Sequence, residues 1–377
     1  MALVPRKILL NPGPATTTDT VKAALVVPDI CPREREFVHV LQQVRTDLVR
    51  IAGGTPDSYT CVLLAGSGTA AMDAVLNSVV PADGGVAIIN NGAYGQRFVD
   101  IARCYQLPYH ELRCPWGEWP DLTRLPHLLR EHPQISHVAL VHHETSTGLL
   151  NQLPEIAALA REHRVSLIVD AISSLGGVPL NVQEHQIDYL LSTSNKCLQG
   201  MAGLAWVICR RQALEVSRQL PRRSFYLNLY QQYRHFEANG QMQFTPPVQV
   251  VYALAQAIRE FWQEGPEARF QRYYRNWQTL MAGLQALGLR TLLPPERQSP
   301  LLTTVLEPPD PHYSFSRLHD ALYERGFTIY PGKMQDNATF RLANIGAITE
   351  NDIRDFLAAL RAVLMELGVT LPVRYSS

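Results

Sequence analysis

Six short apolar runs occupy the chain between residues 60 and 209, and segments of helical or polar pattern separate them. The runs are TCVLLA (60–65), GVAIIN (85–90), HVALVH (137–142), SLIVDAI (166–172), YLLSTS (189–194) and LAWVIC (204–209). Runs of this length are typical of strands that are buried on both faces. Because helices alternate with them, the pattern predicts a mainly parallel α/β sheet with both faces covered.

Two of the intervening segments carry a helical pattern. After Gly68, apolar side chains recur on one helical face, at Met72, Val75, Leu76, Val79 and Val80. Residues 154–163 predict a second helix, in which Pro154 takes an early position that suits proline.

The chain has 377 residues, which suits two domains in close contact. Residues 248–289 predict long helix with a break near Gly265 and Pro266, leading out of the sheet. A strand (301–306), a helix (315–325), short strands near 327–330 and 339–343 and a helix from Glu350 follow. We therefore expect an N-terminal arm (1–20), a large domain (21–262) and a smaller α+β C-terminal domain (263–377).

The composition is that of an ordinary globular protein, with 46% hydrophobic and 18% charged residues. Lys plus Arg and Asp plus Glu both total 34, so nucleic-acid and membrane-surface binding are not expected. No apolar run approaches the ~20 residues of a membrane span, and the N-terminus does not resemble a signal peptide. The six cysteines form no CxxC pair and are expected to be reduced, which predicts a cytoplasmic enzyme.

Two residues follow predicted strands and carry reactive groups. Asp170 lies at the carboxyl edge of the sheet, where open α/β folds bind ligands. Lys196 comes 26 residues later, directly after the next run. A lysine removed from water can act as a nucleophile. The residues alone also allow Asp170 to be a helix or turn cap, and Lys196 to extend into solvent from a loop.

The segment LLAGSGTAAMDAV predicts a helix that begins directly after a strand, at Ser67, Gly68 and Thr69. Free N–H groups and the positive end of a helix bind phosphate, although small residues are also ordinary helix caps. The glycines resemble a dinucleotide-binding fingerprint as well, which requires an acid at the end of the next strand. Asn90 and Asn91 stand there instead, so dinucleotide binding is not expected.

Together these features match the needs of pyridoxal 5'-phosphate (PLP). This cofactor needs a lysine for its aldehyde, a carboxylate for its ring nitrogen and a site for its phosphate. An aromatic side chain that stacks on the ring completes the set. Tyr94, just past a strand end in NNGAYGQR, is the candidate, with simple packing as its alternative.

Two other candidate sites are not expected to function. His142, His143 and Glu144 are adjacent on a strand, so neighbouring side chains point to opposite faces and do not form a metal site. No metal is predicted. Cys197 has no basic partner evident in the sequence and is expected to pack.

The order of these motifs resembles that of fold-type I PLP enzymes, and specifically of the class V aminotransferases. Within that class the chain is most similar to the branch that transaminates 2-aminoethylphosphonate with pyruvate. The segments that carry the resemblance span nearly the whole chain and are LLNPGPATTT, GSGTAAMDAVL, NNGAYGQR, HHETSTGLLNQ, IVDAISSLGG, IDYLLSTSNKCLQG, FTPPVQ and IYPGKMQDNATFRLANIG. The resemblance implies a seven-stranded, mainly parallel sheet in the large domain, and a homodimer with shared active sites.

The resemblance also implies roles for the cofactor residues. Lys196 would join PLP covalently, and Asp170 would pair with the pyridine nitrogen. Tyr94 would stack on the ring, and Thr145 would bind near the phenolic oxygen.

The remaining roles concern the phosphate and the substrate. Ser67, Gly68 and Thr69 would bind the phosphate, joined by Thr245 from the neighbouring subunit. Arg341 would hold the anionic end of an amino donor or keto-acid acceptor through its planar fork of donors, with a surface salt bridge as its alternative. Thr17 is a further predicted substrate contact.

Three segments depart from the pattern of the aminoethylphosphonate branch. NPGPATTT replaces a TPGPLTTS type, PDICPREREF replaces a more acidic and aromatic stretch, and Ala343 replaces a glycine. Two other activities therefore stay open. These are alanine–glyoxylate or serine–pyruvate transamination, and a lyase reaction that releases ammonia from a hydroxylated aminoethylphosphonate. A non-catalytic protein of this fold is not expected, because Lys196 and Asp170 are both present.

Overall fold

The structure, a computed structural model, describes residues 7–333 and 338–375. Residues 1–6 of the predicted N-terminal arm lie outside the described ranges. So do residues 334–337, which belong to the segment IYPGKMQDNATFRLANIG, and residues 376–377 at the end of the predicted C-terminal domain.

The described residues form short and long strands together with helices of up to 21 residues. The strands are β1 (Ile8–Leu9), β2 (Tyr59–Ala65), β3 (Gly85–Asn90), β4 (Tyr109–Arg113), β5 (Ile135–Val141), β6 (His143–Glu144), β7 (Leu149–Leu150), β8 (Ser166–Asp170), β9 (Tyr189–Thr193), β10 (Leu204–Arg210), β11 (Leu302–Leu306), β12 (Phe327–Thr328), β13 (Tyr330–Pro331) and β14 (Thr339–Ala343). The helices are α1 (Asp19–Ala23), α2 (Arg35–Ile51), α3 (Gly68–Val79), α4 (Ala93–Cys104), α5 (Arg124–Glu131), α6 (Leu153–Glu162), α7 (Arg211–Val216), α8 (Leu229–Asn239), α9 (Val248–Glu264), α10 (Pro266–Ala286), α11 (Phe315–Glu324) and α12 (Glu350–Glu366).

The central sheet has seven strands in the order β2-β10-β9-β8-β5-β3-β4. The pairs from β9 to β4 are parallel, whereas β10 is antiparallel to both of its neighbours. This confirms the predicted mainly parallel seven-stranded sheet. Every one of the six apolar runs forms a strand of it. The seventh strand, β4, has the half-buried sequence YHELR and lies at the sheet edge, so no apolar run indicated it.

Apolar side chains hold the helices against this sheet. Met72, Val75 and Leu76 of α3 are fully buried, and α3 contacts β9 and β10. Trp206 of β10 is also inaccessible to solvent. Because apolar burial stabilises by about 25 cal/mol per Å², such a core supplies most of the stabilisation of the sheet.

The chain leaves the sheet through two consecutive helices. Gly265 separates α9 from α10 with a φ of 88°, a backbone conformation that suits glycine, and Pro266 starts α10. Beyond it, β11, β14 and β13 form an antiparallel sheet, and α10 and α12 contact each other. A second apolar core, separate from that of the large sheet, includes Leu280, Phe340 and Phe356.

The N-terminal segment runs across the smaller sheet region towards the large one. β1 pairs in parallel with β12, and Thr16 forms a bridge with Gly346. Between these two anchors, Pro12 and Gly13 lie against Lys196. No helix in the described ranges has the length and apolar character needed to cross a membrane.

Candidate active site

A cavity of about 460 Å³ lies where the carboxyl ends of β5, β8 and β9 meet. Side chains and backbone from several separate segments line it. They are Gly66, Ser67, Gly68, Thr69, Tyr94, Arg97, Val141, His143, Asp170, Ile172, Ser173, Thr193, Asn195, Lys196, Ala202 and Gly203. Six of the predicted site residues therefore share one cavity, at the sheet edge where open α/β folds bind ligands.

Lys196 stands in this cavity with its amine against the N-terminal segment. Its Nζ donates a hydrogen bond to the carbonyl oxygen of Pro12 at 2.6 Å. A side chain at position 13 would collide with the lysine, and Gly13 has a φ of 128°, so glycine is needed there for two reasons. Burial lowers the pKa of Lys196, which increases the fraction of neutral amine that can attack a carbonyl.

Asp170 ends β8 and is only 3% exposed. Its Oδ1 accepts a hydrogen bond from the N–H of Ile172 at 2.8 Å. Burial raises the pKa of Asp170 to about 7, although this hydrogen bond and the charges of Arg97 and Lys196 oppose the shift. A carboxylate in such a place is stabilised by a cation, for which the protonated ring nitrogen of PLP is suitable.

Helix α3 begins at the wall of the cavity. The first N–H groups of a helix have no acceptor within the helix, and no side chain caps this one. A Cβ on Gly68 would approach Ile172 to within 2.7 Å, so the wall is tight at that point. The guanidinium of Arg97 donates to the hydroxyl of Thr69 at 3.2 Å and brings positive charge to the same helix start. These donors fit a phosphate group.

Tyr94 lies on α4, and a buried carboxylate holds the start of that helix. Glu144 Oε2 accepts hydrogen bonds from the N–H groups of Tyr94 at 3.0 Å and Gly95 at 3.2 Å. Its Oε1 accepts from the Ser146 hydroxyl at 2.6 Å. A Cβ on Gly92 would collide with Glu144. Burial raises the pKa of Glu144, and these hydrogen bonds act in the opposite direction.

The ring of Tyr94 is surrounded by cations. The guanidinium carbon of Arg97 is 4.6 Å from the ring centroid, and Lys333 Nζ is 4.8 Å from it. Burial alone raises the pKa of Tyr94, but Lys333, Lys196 and Arg97, together with a hydrogen bond to Thr145, lower it overall.

Arg341 is 3% exposed and forms no salt bridge with a carboxylate among the described residues. Its Nε donates to the carbonyl of Pro331 at 3.0 Å and its Nη1 to that of Thr145 at 3.2 Å. It also interacts with Tyr94, and burial lowers its pKa. Two of its five N–H groups are used on carbonyls, which leaves donors for an anion.

Four predicted site residues do not line the cavity. Two of them, Thr145 and Arg341, interact with the cavity residue Tyr94. The other two are Thr17 and Thr245. Thr17 is buried beside Thr16, which pairs with Gly346. Thr245 is exposed and follows Phe244, whose ring stacks on that of Tyr226 with centroids 4.8 Å apart.

The two adjacent histidines have different partners. His142 Nδ1 lies 3.0 Å from the Ser174 hydroxyl, and His143 Nδ1 lies 3.0 Å from the Ser173 carbonyl. Burial lowers the pKa of His142 to about 3 and that of His143 to about 4, so both are neutral. Among the described residues no group of three or more His, Cys, Asp or Glu side chains is arranged to hold a metal ion.

The donor set of the cavity fits PLP. It combines an amine (Lys196), a carboxylate (Asp170), a free helix start with Arg97, and an aromatic ring (Tyr94). His143 adds an independent observation, because its buried Nε2 has no hydrogen-bond partner and the residue lines the cavity. An unpartnered buried nitrogen costs free energy unless a ligand or water contacts it.

Three residues that contribute to the site were not predicted from the sequence. Glu144 was considered only as a metal ligand, and Arg97 and Lys333 were not singled out. Arg97 follows Tyr94 by three residues in a helix start, and Lys333 lies two residues beyond a short strand. Only the spacing of Arg97 from Tyr94 could have indicated a shared site, because side chains three residues apart on a helix are neighbours.

A family model described as aminotransferase class-V matches residues 22–332. Among curated proteins, the 2-aminoethylphosphonate–pyruvate transaminases of Salmonella typhimurium (strain LT2) and Salmonella paratyphi B are each 43% identical over 360 residues. These alignments cover 95% of this chain and 97% of each relative.

Solved structures show the same architecture. Ureidoglycine–glyoxylate aminotransferase from Bacillus subtilis superposes with a TM-score of 0.89 at 26% identity, covering 98% of this chain and 95% of that one. Alanine–glyoxylate aminotransferase from Nostoc sp. gives a TM-score of 0.89 at 28% identity, covering 96% of each chain.

Proposed function

The chain belongs to the class V aminotransferase family, and from that premise we propose that it transfers the amino group of 2-aminoethylphosphonate to pyruvate. The products are phosphonoacetaldehyde and alanine. The observation that carries the proposal is a cavity that holds Lys196 and Asp170, with the guanidinium of Arg341 hydrogen-bonded to the cavity residue Tyr94. The names of the 43% identical relatives support the choice of substrates.

We expect PLP to occupy the cavity through the residues described above. Lys196 binds its aldehyde, Asp170 its ring nitrogen and Tyr94 its ring face. The start of α3 at residues 67–69 and Arg97 hold its phosphate. When bound, PLP supplies an electron sink that stabilises negative charge on the substrate carbon next to the amine.

Lys196 is the group suited to move the proton. Burial lowers the pKa of its amine, which increases the fraction of neutral amine that can accept a proton. With PLP and the substrate bound, Lys196 Nζ would remove the proton from the substrate carbon that carries the amino group and would hold it for return. Asp170 would hold a proton on the ring nitrogen of PLP, because burial makes its negative charge unfavourable unless a cation lies beside it.

Arg341 binds the anionic end of each substrate. Its planar fork matches a phosphonate or a carboxylate with two parallel hydrogen bonds. The carbonyls of Pro331 and Thr145 fix the orientation of the guanidinium. The same residue therefore serves aminoethylphosphonate in one half-reaction and pyruvate in the other.

We also propose a homodimer in which Thr245 reaches the partner's phosphate site. Phe225 is 72% exposed and Tyr226 is 39% exposed. The ring of Tyr226 stacks on that of Phe244, next to Thr245, and the ring of Phe225 contacts Phe244 at a tilt. An exposed aromatic patch of this kind is typical of a protein interface. We propose the division into residues 1–20, 21–262 and 263–377 as the domain organisation, supported by the two separate apolar cores.

The proposed location is the cytoplasm. Six free cysteines, four of them buried, support a reducing compartment. The departure at Ala343 does not favour another activity, because this residue is fully buried and its N–H donates to the Leu10 carbonyl at 2.7 Å.

The test is a screen of amino donors with purified, PLP-loaded protein. Aminoethylphosphonate with pyruvate should yield alanine and phosphonoacetaldehyde in equal amounts. If alanine or serine reacts with glyoxylate while aminoethylphosphonate does not react, the phosphonate assignment is wrong. If a hydroxylated aminoethylphosphonate releases ammonia without any keto acid, the lyase reaction replaces transamination.

A further inference from the structure

Four cationic side chains surround Tyr94 at the proposed site. Arg97 and Lys333 lie against its ring at 4.6 and 4.8 Å, and Lys196 and Arg341 interact with it electrostatically. None of the four forms a salt bridge with a carboxylate in the part of the chain that the structure describes. Direct ion pairs therefore do not neutralise these four side chains in that part of the chain.

The two nearby carboxylates, Asp170 and Glu144, have other partners. Asp170 Oδ1 accepts a hydrogen bond from the N–H of Ile172, and Asp170 is assigned to the ring nitrogen of PLP. Glu144 is moreover occupied by the N–H groups at the start of α4. Cations held together without partners repel one another, so the arrangement favours anionic ligands.

Two of the cations are assigned to the cofactor by their contacts. Lys196 is the amine for the PLP aldehyde, and Arg97 donates to Thr69 at the phosphate site. Arg341 and Lys333 remain for the substrate. A carboxylate brings one negative charge, which Arg341 can bind alone. A phosphonate brings a third oxygen and up to two negative charges, which exceed what one guanidinium compensates.

The backbone holds the base of Lys333 close to Arg341. In the register of β13 and β14, Tyr330 is opposite Arg341, and Arg341 Nε donates to the Pro331 carbonyl. The N–H of Gly332 then bonds the Thr339 carbonyl at 2.6 Å. Lys333 is the next residue and is exposed, and its ammonium lies over the ring of Tyr94, which lines the cavity.

We propose that Lys333 is a specificity-determining residue that binds the second negative charge of a phosphonate and so favours aminoethylphosphonate over carboxylate amino donors. The proposal rests on the proposed function, because it requires that a phosphonate binds beside Arg341. Arg341 serves both substrates, whereas Lys333 serves only the phosphonate.

The test compares Lys333→Met, Lys333→Arg and the control Lys7→Met in PLP-loaded protein. Lys7 also lies over a tyrosine ring, with its Nζ 3.7 Å from the ring centroid of Tyr323, but lies outside the cavity. Steady-state kinetics give KM and kcat for aminoethylphosphonate and for pyruvate. Calorimetry with the unreactive anions ethylphosphonate and propionate measures binding without turnover.

In Lys333→Met, KM for aminoethylphosphonate and the dissociation constant of ethylphosphonate should rise about tenfold or more, the effect of losing one hydrogen bond to a charged group. Relative to the wild type, KM for pyruvate and the affinity for propionate should change less than about twofold, because Arg341 is intact and no hydrogen bond to the carboxylate is lost. Lys333→Arg should retain most of the phosphonate affinity, and Lys7→Met should match the wild type.

If Lys333→Met lost affinity equally for phosphonate and carboxylate ligands, or lost no affinity, the inference would be overturned and the proposed function would stand. If the wild-type protein neither converts aminoethylphosphonate nor binds ethylphosphonate, the proposed function itself is wrong. The inference then fails with it.

Discussion

The buried carboxylate of Glu144 accepts a hydrogen bond from the backbone N–H of Tyr94 at 3.0 Å. A second N–H, from Gly95, contacts the same oxygen, so one side chain fixes the first turn of α4. Negative charge at a helix start is also favoured by the helix dipole. Glu144 therefore acts as a positioning residue that holds the Tyr94 ring at the wall of the cavity.

Glu144→Gln should weaken cofactor binding without removing a group that contacts the cofactor. The amide nitrogen cannot accept a hydrogen bond, so either the Tyr94 side or the Ser146 side loses its partner at a cost of roughly 1–3 kcal/mol. PLP affinity, measured by fluorescence titration of the apoprotein, should fall about tenfold by that estimate. Glu131→Gln, at an exposed position, is the control. Wild-type affinity in Glu144→Gln would show that the helix start is held by other contacts.

Asp170→Asn should have opposite effects on the apoprotein and on the loaded enzyme. Burial raises the pKa of Asp170 to about 7 in the folded chain, so the folded state binds the proton more tightly than the unfolded state. Stability contributed by this group is then lost as pH rises from about 4 to about 7. The asparagine does not ionise. The variant apoprotein should therefore gain stability relative to wild type at pH 8, by up to about 4 kcal/mol, and less at pH 5.

In the loaded enzyme the same substitution removes the proposed partner of the ring nitrogen. Turnover should fall by ~100-fold or more, as expected for losing a charge partner at the reacting group. Urea unfolding of the apoprotein at the two pH values and initial rates of the PLP-loaded protein provide the measurements. An unchanged rate, or an identical stability difference at both pH values, would show that Asp170 only caps the turn to Ile172.

Thr245→Ala tests the proposed shared site. If Thr245 reaches the phosphate of the partner subunit, PLP retention should weaken by roughly 1.5–3 kcal/mol, the value of a hydrogen bond to a charged group. Dialysis against buffer without PLP, followed by absorbance of the remaining cofactor, measures this. Thr370→Ala, at another exposed threonine, is the matched control. A protein that sediments as a monomer with full PLP affinity would exclude the shared site.

Arg341→Lys should impair both half-reactions. Lysine keeps the positive charge but cannot bond the Pro331 and Thr145 carbonyls and an anion in the same plane. KM should rise for both aminoethylphosphonate and pyruvate, and kcat should fall because the reacting carbon is less well oriented. Arg361→Lys, at an exposed position of α12, should behave as wild type. A rise of KM for only one of the two substrates would contradict the double role of Arg341.

The local pattern of the sequence was sufficient to predict those strands in which successive residues are buried. In the strand that carries Asp170 every residue after Ser166 is buried, and the strand that precedes Lys196 is buried throughout, so both were recognisable as apolar runs. The edge strand β4 was missed because one neighbouring strand and partial burial leave its sequence half polar. Because the ends of β8 and β9 are adjacent, Asp170 and Lys196 were predictable as members of one site.

The rest of the site depends on contacts between distant parts of the chain. Pro12 contacts Lys196 across 184 residues of sequence, and Arg341 reaches the Thr145 carbonyl across 196. No periodicity in the sequence encodes such contacts. For the same reason Lys333, whose place over Tyr94 follows from the pairing of β13 with β14, was not found.

The attachment site of PLP gives the most direct test of the account. The chain contains only four lysines, Lys7, Lys22, Lys196 and Lys333, so the outcome can be mapped to a single peptide. Borohydride reduces a carbon–nitrogen double bond between lysine and PLP and makes the attachment permanent. Mass spectrometry of the digested, reduced protein should find PLP on Lys196 alone, and Lys196→Ala should carry no fixed PLP and have no transaminase activity. Fixed PLP on another lysine, or in Lys196→Ala, would contradict the account.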